Sequence, residues 1–180
     1  MAQRRSRCKP GARAPGRAAR DPARERGGSG PEALAAGARS RTMRAMPPVD
    51  SLAGTVPLRT YAPPDGRPSA GAVLLYHGLR SSMETLAREA EGLASAGMTA
   101  ILVDAPHHGA RHSPVVGTMP DALSLPGHRV LLRLVREARD EVPGLIDHAY
   151  RAGHRKVAIA GVPFGAFIAL AAATVEPRLA

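Results

Sequence analysis

A chain of 180 residues allows one domain of ordinary size, and its single cysteine, Cys8, excludes an intrachain disulfide framework. The formal net charge of +10 sits almost wholly in residues 1–46, which hold twelve Lys/Arg against three Asp/Glu; residues 47–180 hold thirteen against twelve and are near neutral. The basic balance therefore describes a tail and not a nucleic-acid-binding fold, and the cysteine usage fits a reducing, cytoplasmic setting.

Residues 1–46 are mainly Arg, Ala, Gly and Pro, with Leu34, Met43 and Met46 the only large apolar side chains after the initial Met1. Such a segment cannot bury enough surface to offset its ordering entropy, so it is expected to be a disordered tail. Arg4-Arg5 has no apolar stretch after it, so it does not read as a secretion signal. The Arg-rich start also lacks the amphipathic face of a transit peptide. No aromatic residue is interleaved to stack on bases, so no specific nucleic-acid partner is implied. Met43 and Met46 are alternative starts.

Val56–Tyr61 alternates weakly and reads as an early strand, followed by a Pro- and Gly-rich loop over residues 62–68. The apolar run Ala72–Tyr76 predicts a strand buried on both faces. Ser81 with Glu84 three residues on has the spacing of a capping box. Met83, Leu86, Ala87, Ala90, Leu93 and Ala94 then follow the helical period, and Gly97 is placed to end the helix. Met98–Val103 is the next buried strand. Residues 107–127 are expected to be a long, substrate-facing loop. Helical spacing resumes at Val130, with Pro143 expected to restart the helix and Gly153 to stop it. Lys156–Val162 is the third strong strand and Gly165–Val175 the third strong helix. Alternating strand and helix predict an α/β fold, mostly parallel, with flanking helices.

The last of these units is the most informative. Strand, G-x-S-x-G and helix form the nucleophile elbow of serine hydrolases. Here the five residues are Gly161, Val162, Pro163, Phe164 and Gly165. Proline has no hydroxyl, and its fixed φ resists the sharp turn that presents an elbow nucleophile.

Three motifs in order, His77-Gly78 after a strand, Asp104-Ala-Pro-His-His-Gly109 after the next, and the glycine-bracketed turn before an Ala-rich helix and Glu176-Pro-Arg-Leu, carry a resemblance. From about Ala72 to Ala180 the chain resembles the α/β-hydrolase superfamily, in particular its dienelactone-hydrolase-like bacterial esterase branch. The resemblance implies residues 47–180 as the N-terminal portion of a hydrolase domain. It implies serine-dependent hydrolysis of a small ester-like substrate, with no cofactor and no metal. Mapped by residue, the oxyanion donors are the amides of Leu79 and Phe164, and Pro163 occupies the nucleophile position. The acid and the histidine follow the elbow in the family, yet no Asp or His follows Pro163; Glu176 falls where the family has no acid. The resemblance therefore implies a chain truncated after the elbow helix, its elbow strand left as a sheet edge, and a catalytically incompetent pseudoenzyme that a phosphonate probe does not label.

Four other readings compete. Val157–Val175 carries no charge over nineteen residues and has the hydropathy of a single-pass membrane helix, but Gly161, Pro163 and Gly165 break it. His107, His108 and His112 with Asp104 have no common zinc spacing. Ser81 and Ser82 follow the His77-Gly78 turn as substitute nucleophiles, though Ser81 reads better as a cap and His77 as a structural residue. A non-catalytic interaction protein on a hydrolase scaffold is the remaining alternative.

Overall fold

The computed structural model describes residues 46–179, so the tail expected over residues 1–46 lies, Met46 apart, outside the described residues. Five strands form one sheet in the order β1-β2-β4-β3-β5. These are β1 (Val49–Ala53), β2 (Val56–Tyr61), β3 (Ala72–Tyr76), β4 (Thr99–Val103) and β5 (Val157–Gly161). The first two form an antiparallel hairpin, and β2 runs antiparallel to β4, with Leu58 opposite Val103. The rest is parallel: Leu74 of β3 lies between Ile101 of β4 and Ile159 of β5.

The continuous apolar runs of β3 and β4 are explained by cover on both faces. Side chains alternate across a strand. Leu74, Tyr76, Ile101 and Val103 face one core with Leu58, and Leu75, Ala100 and Leu102 face a second. Helix α1 (Ala87–Ser95), preceded by a 3-10 turn over Met83–Leu86, closes the second core with Met83, Leu86, Ala90 and Ala94. It ends as expected, with Gly97 at φ +88° and the Met98 N–H donating back to Leu93 O at 3.0 Å. The first core is covered by α3 (Leu125–Arg151) and α4 (Pro163–Ala173). Between β4 and α3 the chain forms a 3-10 turn over Gly109–Arg111 and a short helix, α2 (Pro114–Gly117).

One strand, β1, is not among those expected, and three expectations need correction. β1 carries no apolar alternation and is mostly exposed, so the period that reveals a half-buried strand is absent from it. The residue before the 83–86 turn is Ser82, not Ser81, and neither closes a capping box with Glu84. Asp104 Oδ1 instead accepts from Met83 N at 2.9 Å, because a carboxylate outcompetes a hydroxyl for that amide. Helix α3 starts at Leu125, capped by Ser124 Oγ on Gly127 N at 3.1 Å, and it does not restart at Pro143. An interior proline costs about 3 kcal/mol. Val142, Leu145, Ile146 and Ala149 are all buried around it, at about 1.5–3 kcal/mol for each large apolar side chain, so packing outweighs the lost bond. Finally, α4 begins at Pro163, two residues before the expected start.

Residues 157–161 are a strand and α4 has only eleven residues, so Val157–Val175 is not one spanning helix. Among the described residues no helix is long and apolar enough to cross a membrane.

Candidate functional site

The carboxyl ends of β3, β4 and β5 carry three segments: residues 77–82, residues 104–113, and the turn at Val162 into the first residues of α4. In an open α/β sheet this edge is where ligands bind.

The glycine-bracketed turn after β5 brings strand and helix into close packing, and its middle residue, Pro163, has no hydroxyl. A Cβ on Gly165 would collide with the Tyr76 carbonyl, and a Cβ on Gly161 would collide with the Gly165 backbone. Both positions thus require glycine for strand and helix to approach, whatever residue stands between them. Val162 caps α4 with φ −100°, and Pro163 is its first helical residue. That position suits proline, whose missing N–H has no helical acceptor there. Positive φ outside glycine occurs among the described residues at Asp65, Arg80 and His107, not at Pro163. The strained turn that exposes an elbow nucleophile is not formed. The amides of Leu79 and Phe164 have no acceptor among the described residues, and the Gly78 and Val162 segments face each other.

The 104–113 loop is bracketed by a carboxylate. Asp104 is fully buried, accepting from Met83 N at 2.9 Å and from Ala110 N at 2.8 Å. Gly109 packs against that carboxylate so closely that a Cβ would overlap it. Asp104 and Gly109 are therefore one steric and hydrogen-bonding unit. Arg111 closes the loop over Asp104 O at 3.1 Å and forks onto Glu141 at 2.8 and 2.5 Å. Its hydrogen bond to Glu141 raises its pKa further above the ordinary arginine range.

The histidines divide into separate roles. His77 is fully buried; Nδ1 donates to Gly78 O at 2.8 Å and Nε2 accepts from Ala105 N at 3.2 Å, so both nitrogens are spent on backbone. His108 donates from Nδ1 to Pro106 O at 2.8 Å and stacks on Phe164 with centroids 5.2 Å apart. Burial pushes its pKa down, so it stays neutral, with Nε2 unpartnered. His107 turns away, to Ser113 Oγ at 2.6 Å and Glu137 Oε2 at 3.0 Å. His112 is exposed. These residues do not converge, and no group of His, Cys, Asp or Glu among the described residues is placed to hold a metal.

Ser81 Oγ pairs with Thr85 Oγ1 at 2.9 Å, and no histidine is hydrogen-bonded to Ser81 or Ser82. Glu176 is buried at the end of α4 and fully engaged by Arg178, at 2.8 and 2.7 Å. That bond holds its pKa below the usual glutamate range. Ser113 and Glu137 were missed as candidates. Ser113-Pro114 is a legible helix start, but nothing in spacing connects Glu137, on α3, to a loop thirty residues earlier.

No protein-family model matches the chain, and no curated protein matches it. Solved structures do. TT1662 from Thermus thermophilus is 27% identical with a TM-score of 0.55, covering 69% of this chain and 50% of its own. A cold-adapted esterase from an Arctic intertidal metagenomic library is 24% identical with a TM-score of 0.50, covering 69% and 52%. Acetyl xylan esterase 1 from Thermoanaerobacterium is 20% identical with a TM-score of 0.51, covering 69% and 41%. The chain thus spans about half the length of the structures it matches. Its fold is the α/β-hydrolase fold.

Proposed function

We propose that the chain is an esterase-type α/β hydrolase of the dienelactone-hydrolase-like branch whose elbow carries out no acyl transfer. Residues 47–180 are the N-terminal part of that domain, and residues 1–46 a dispensable tail. The observation that carries this reading is Pro163 as the first residue of α4, between two glycines that still satisfy the elbow's packing. Whatever else the site contains, position 163 offers no oxygen to attack a carbonyl. The amides of Leu79 and Phe164 remain open to bind a carbonyl oxygen, because backbone donors do not depend on the side chain. The ligand class inherited with the fold is a small ester-like molecule, a reading supported by solved structures of similar fold that are named as esterases.

The test is the substitution Pro163→Ser followed by a fluorophosphonate, with the adduct mapped by mass spectrometry. No adduct at residue 163 is expected, because no imidazole is hydrogen-bonded there to take the proton. Labelling of that serine above the level of heat-denatured protein would overturn the reading.

A second reading, an interaction protein on the same scaffold, is favoured by one observation. Helix α4 exposes Phe167, Leu170 and the following Val175, at 54%, 67% and 56%. Leu170 also borders a groove of about 380 Å³ with Ile159, Glu176 and Leu179. Concentration-dependent association in sedimentation, lost on Leu170→Glu, would support it; a monomer at all concentrations would remove it.

A further inference from the structure

The loop after β4 contains a hydrogen-bonded series that elbow chemistry does not use. His107 stands at φ +66°, a left-handed backbone that costs a non-glycine residue energy and that clusters at functional positions. Its ring lies between Ser113 Oγ, 2.6 Å from Nδ1, and Glu137 Oε2, 3.0 Å from Nε2. The second oxygen of Glu137 accepts from Arg133 at 2.7 Å. Burial works against ionisation of Glu137, but the bonds from Arg133 and His107 outweigh it and hold its pKa below the usual range. An ionised carboxylate only accepts, so the imidazole proton is on Nε2 and the Nδ1 lone pair faces the serine. Ser113 O–H then donates to Nδ1. Its one other partner is the Val115 N–H, at a long 3.4 Å. The histidine and glutamate side chains are 25% and 32% exposed and Ser113 is half-buried, so the series lies at the protein surface.

We propose that Ser113 is a nucleophile with His107 as its base and Glu137 as the positioning residue, forming an acyl-accepting centre for small activated esters away from the elbow. A nucleophile within hydrogen-bond reach of a base, itself oriented by a third group, is the general arrangement for covalent catalysis. Oγ adds to the ester carbonyl carbon as its proton passes to His107 Nδ1, and Glu137 balances the imidazolium. Collapse breaks the bond to the leaving oxygen, which takes the proton from Nδ1. An acyl-serine and an alcohol result; water entering by the same proton route releases the carboxylic acid. The series supplies activation of the attacking oxygen, so it suits acyl groups whose leaving group departs readily, aryl esters above all.

The experiment is fluorophosphonate labelling of the full chain, followed by intact mass and peptide mapping. The serine oxygen–phosphorus bond forms, fluoride leaves, and the proton passes through His107 to buffer. One adduct is expected, on the peptide containing Ser113, and Ser113→Ala abolishes it. His107→Gly, which keeps the left-handed backbone without strain, is expected to slow labelling by at least about 100-fold, with free imidazole restoring part of the rate. If the glycine variant does not fold by circular dichroism, His107→Asn tolerates the same backbone and carries the comparison. Glu137→Gln removes the charge and the constraint on the imidazole tautomer, and is expected to slow labelling by on the order of 10³–10⁴-fold, as loss of the orienting carboxylate does in a triad. A folded chain with no adduct at Ser113, or with equal rates in both His107 variants and the parent, would overturn the proposal. Either result leaves the reading of the elbow untouched, since that concerns residue 163.

Discussion

The two loops flanking β3 at the carboxyl edge differ in what holds them. The elbow after β5 is a packing device: Gly161 and Gly165 let a strand and a helix approach, and the residue between them has no part in that fit. The loop after β4 is a polar device: Asp104, buried and bonded to two backbone amides, fixes a turn on each side of itself. A motif maintained by sterics can retain its shape after its chemistry is gone. A motif maintained by hydrogen bonds cannot lose its polar centre without losing its shape. The elbow is therefore a poor guide to activity here, and the β4 loop a better one.

Four measurements break or sharpen this contrast. Asp104→Ala should have the largest effect, because one buried and one part-buried amide lose a charged acceptor at about 1.5–3 kcal/mol each. A loss of about 3–6 kcal/mol in urea unfolding is expected, and a loss under 1 kcal/mol would deny the polar account of the loop. Gly165→Ala comes next. Its methyl group meets the Tyr76 carbonyl, and overpacking of this kind costs about 1–3 kcal/mol. If the variant is as stable as the parent, the elbow glycines are not there for packing.

The third measurement is pH dependence. The pKa of Glu176 is depressed in the folded protein, mainly by its hydrogen bond to Arg178. Its contribution is therefore present above the ordinary glutamate range and lost as pH falls through the folded-state pKa. Denaturant midpoints should drop on acidification below that range, and Glu176→Gln should flatten the drop. An unchanged acid limb would show that the pair is too solvated to matter. The smallest effect belongs to Pro163→Ser. Proline is well placed at the first helical position, and its loss acts chiefly by loosening the unfolded chain. A destabilisation of about 0.4–1 kcal/mol is expected. A stabilised serine variant would mean that proline strains the elbow.

The sequence by itself determined the parallel core and the absence of a hydroxyl at position 163. Runs such as Ala72–Tyr76 and Met98–Val103 have no polar face, and only a strand covered on both sides suits them. Gly97 and Gly153 marked the ends of α1 and α3, and the absence of a hydroxyl at Pro163 is covalent chemistry that no fold alters. Tertiary structure decided the rest. It carried α3 through Pro143, because the residues on either side are buried too well for the helix to stop. It gave the Met83 amide to Asp104, twenty-one residues away, where local spacing pointed to a serine cap. It also set Glu137 against His107 and Ser113. Periodicity in a sequence reports which face of an element is buried. It does not report which polar group from a distant element will meet which, because that depends on how the elements cross.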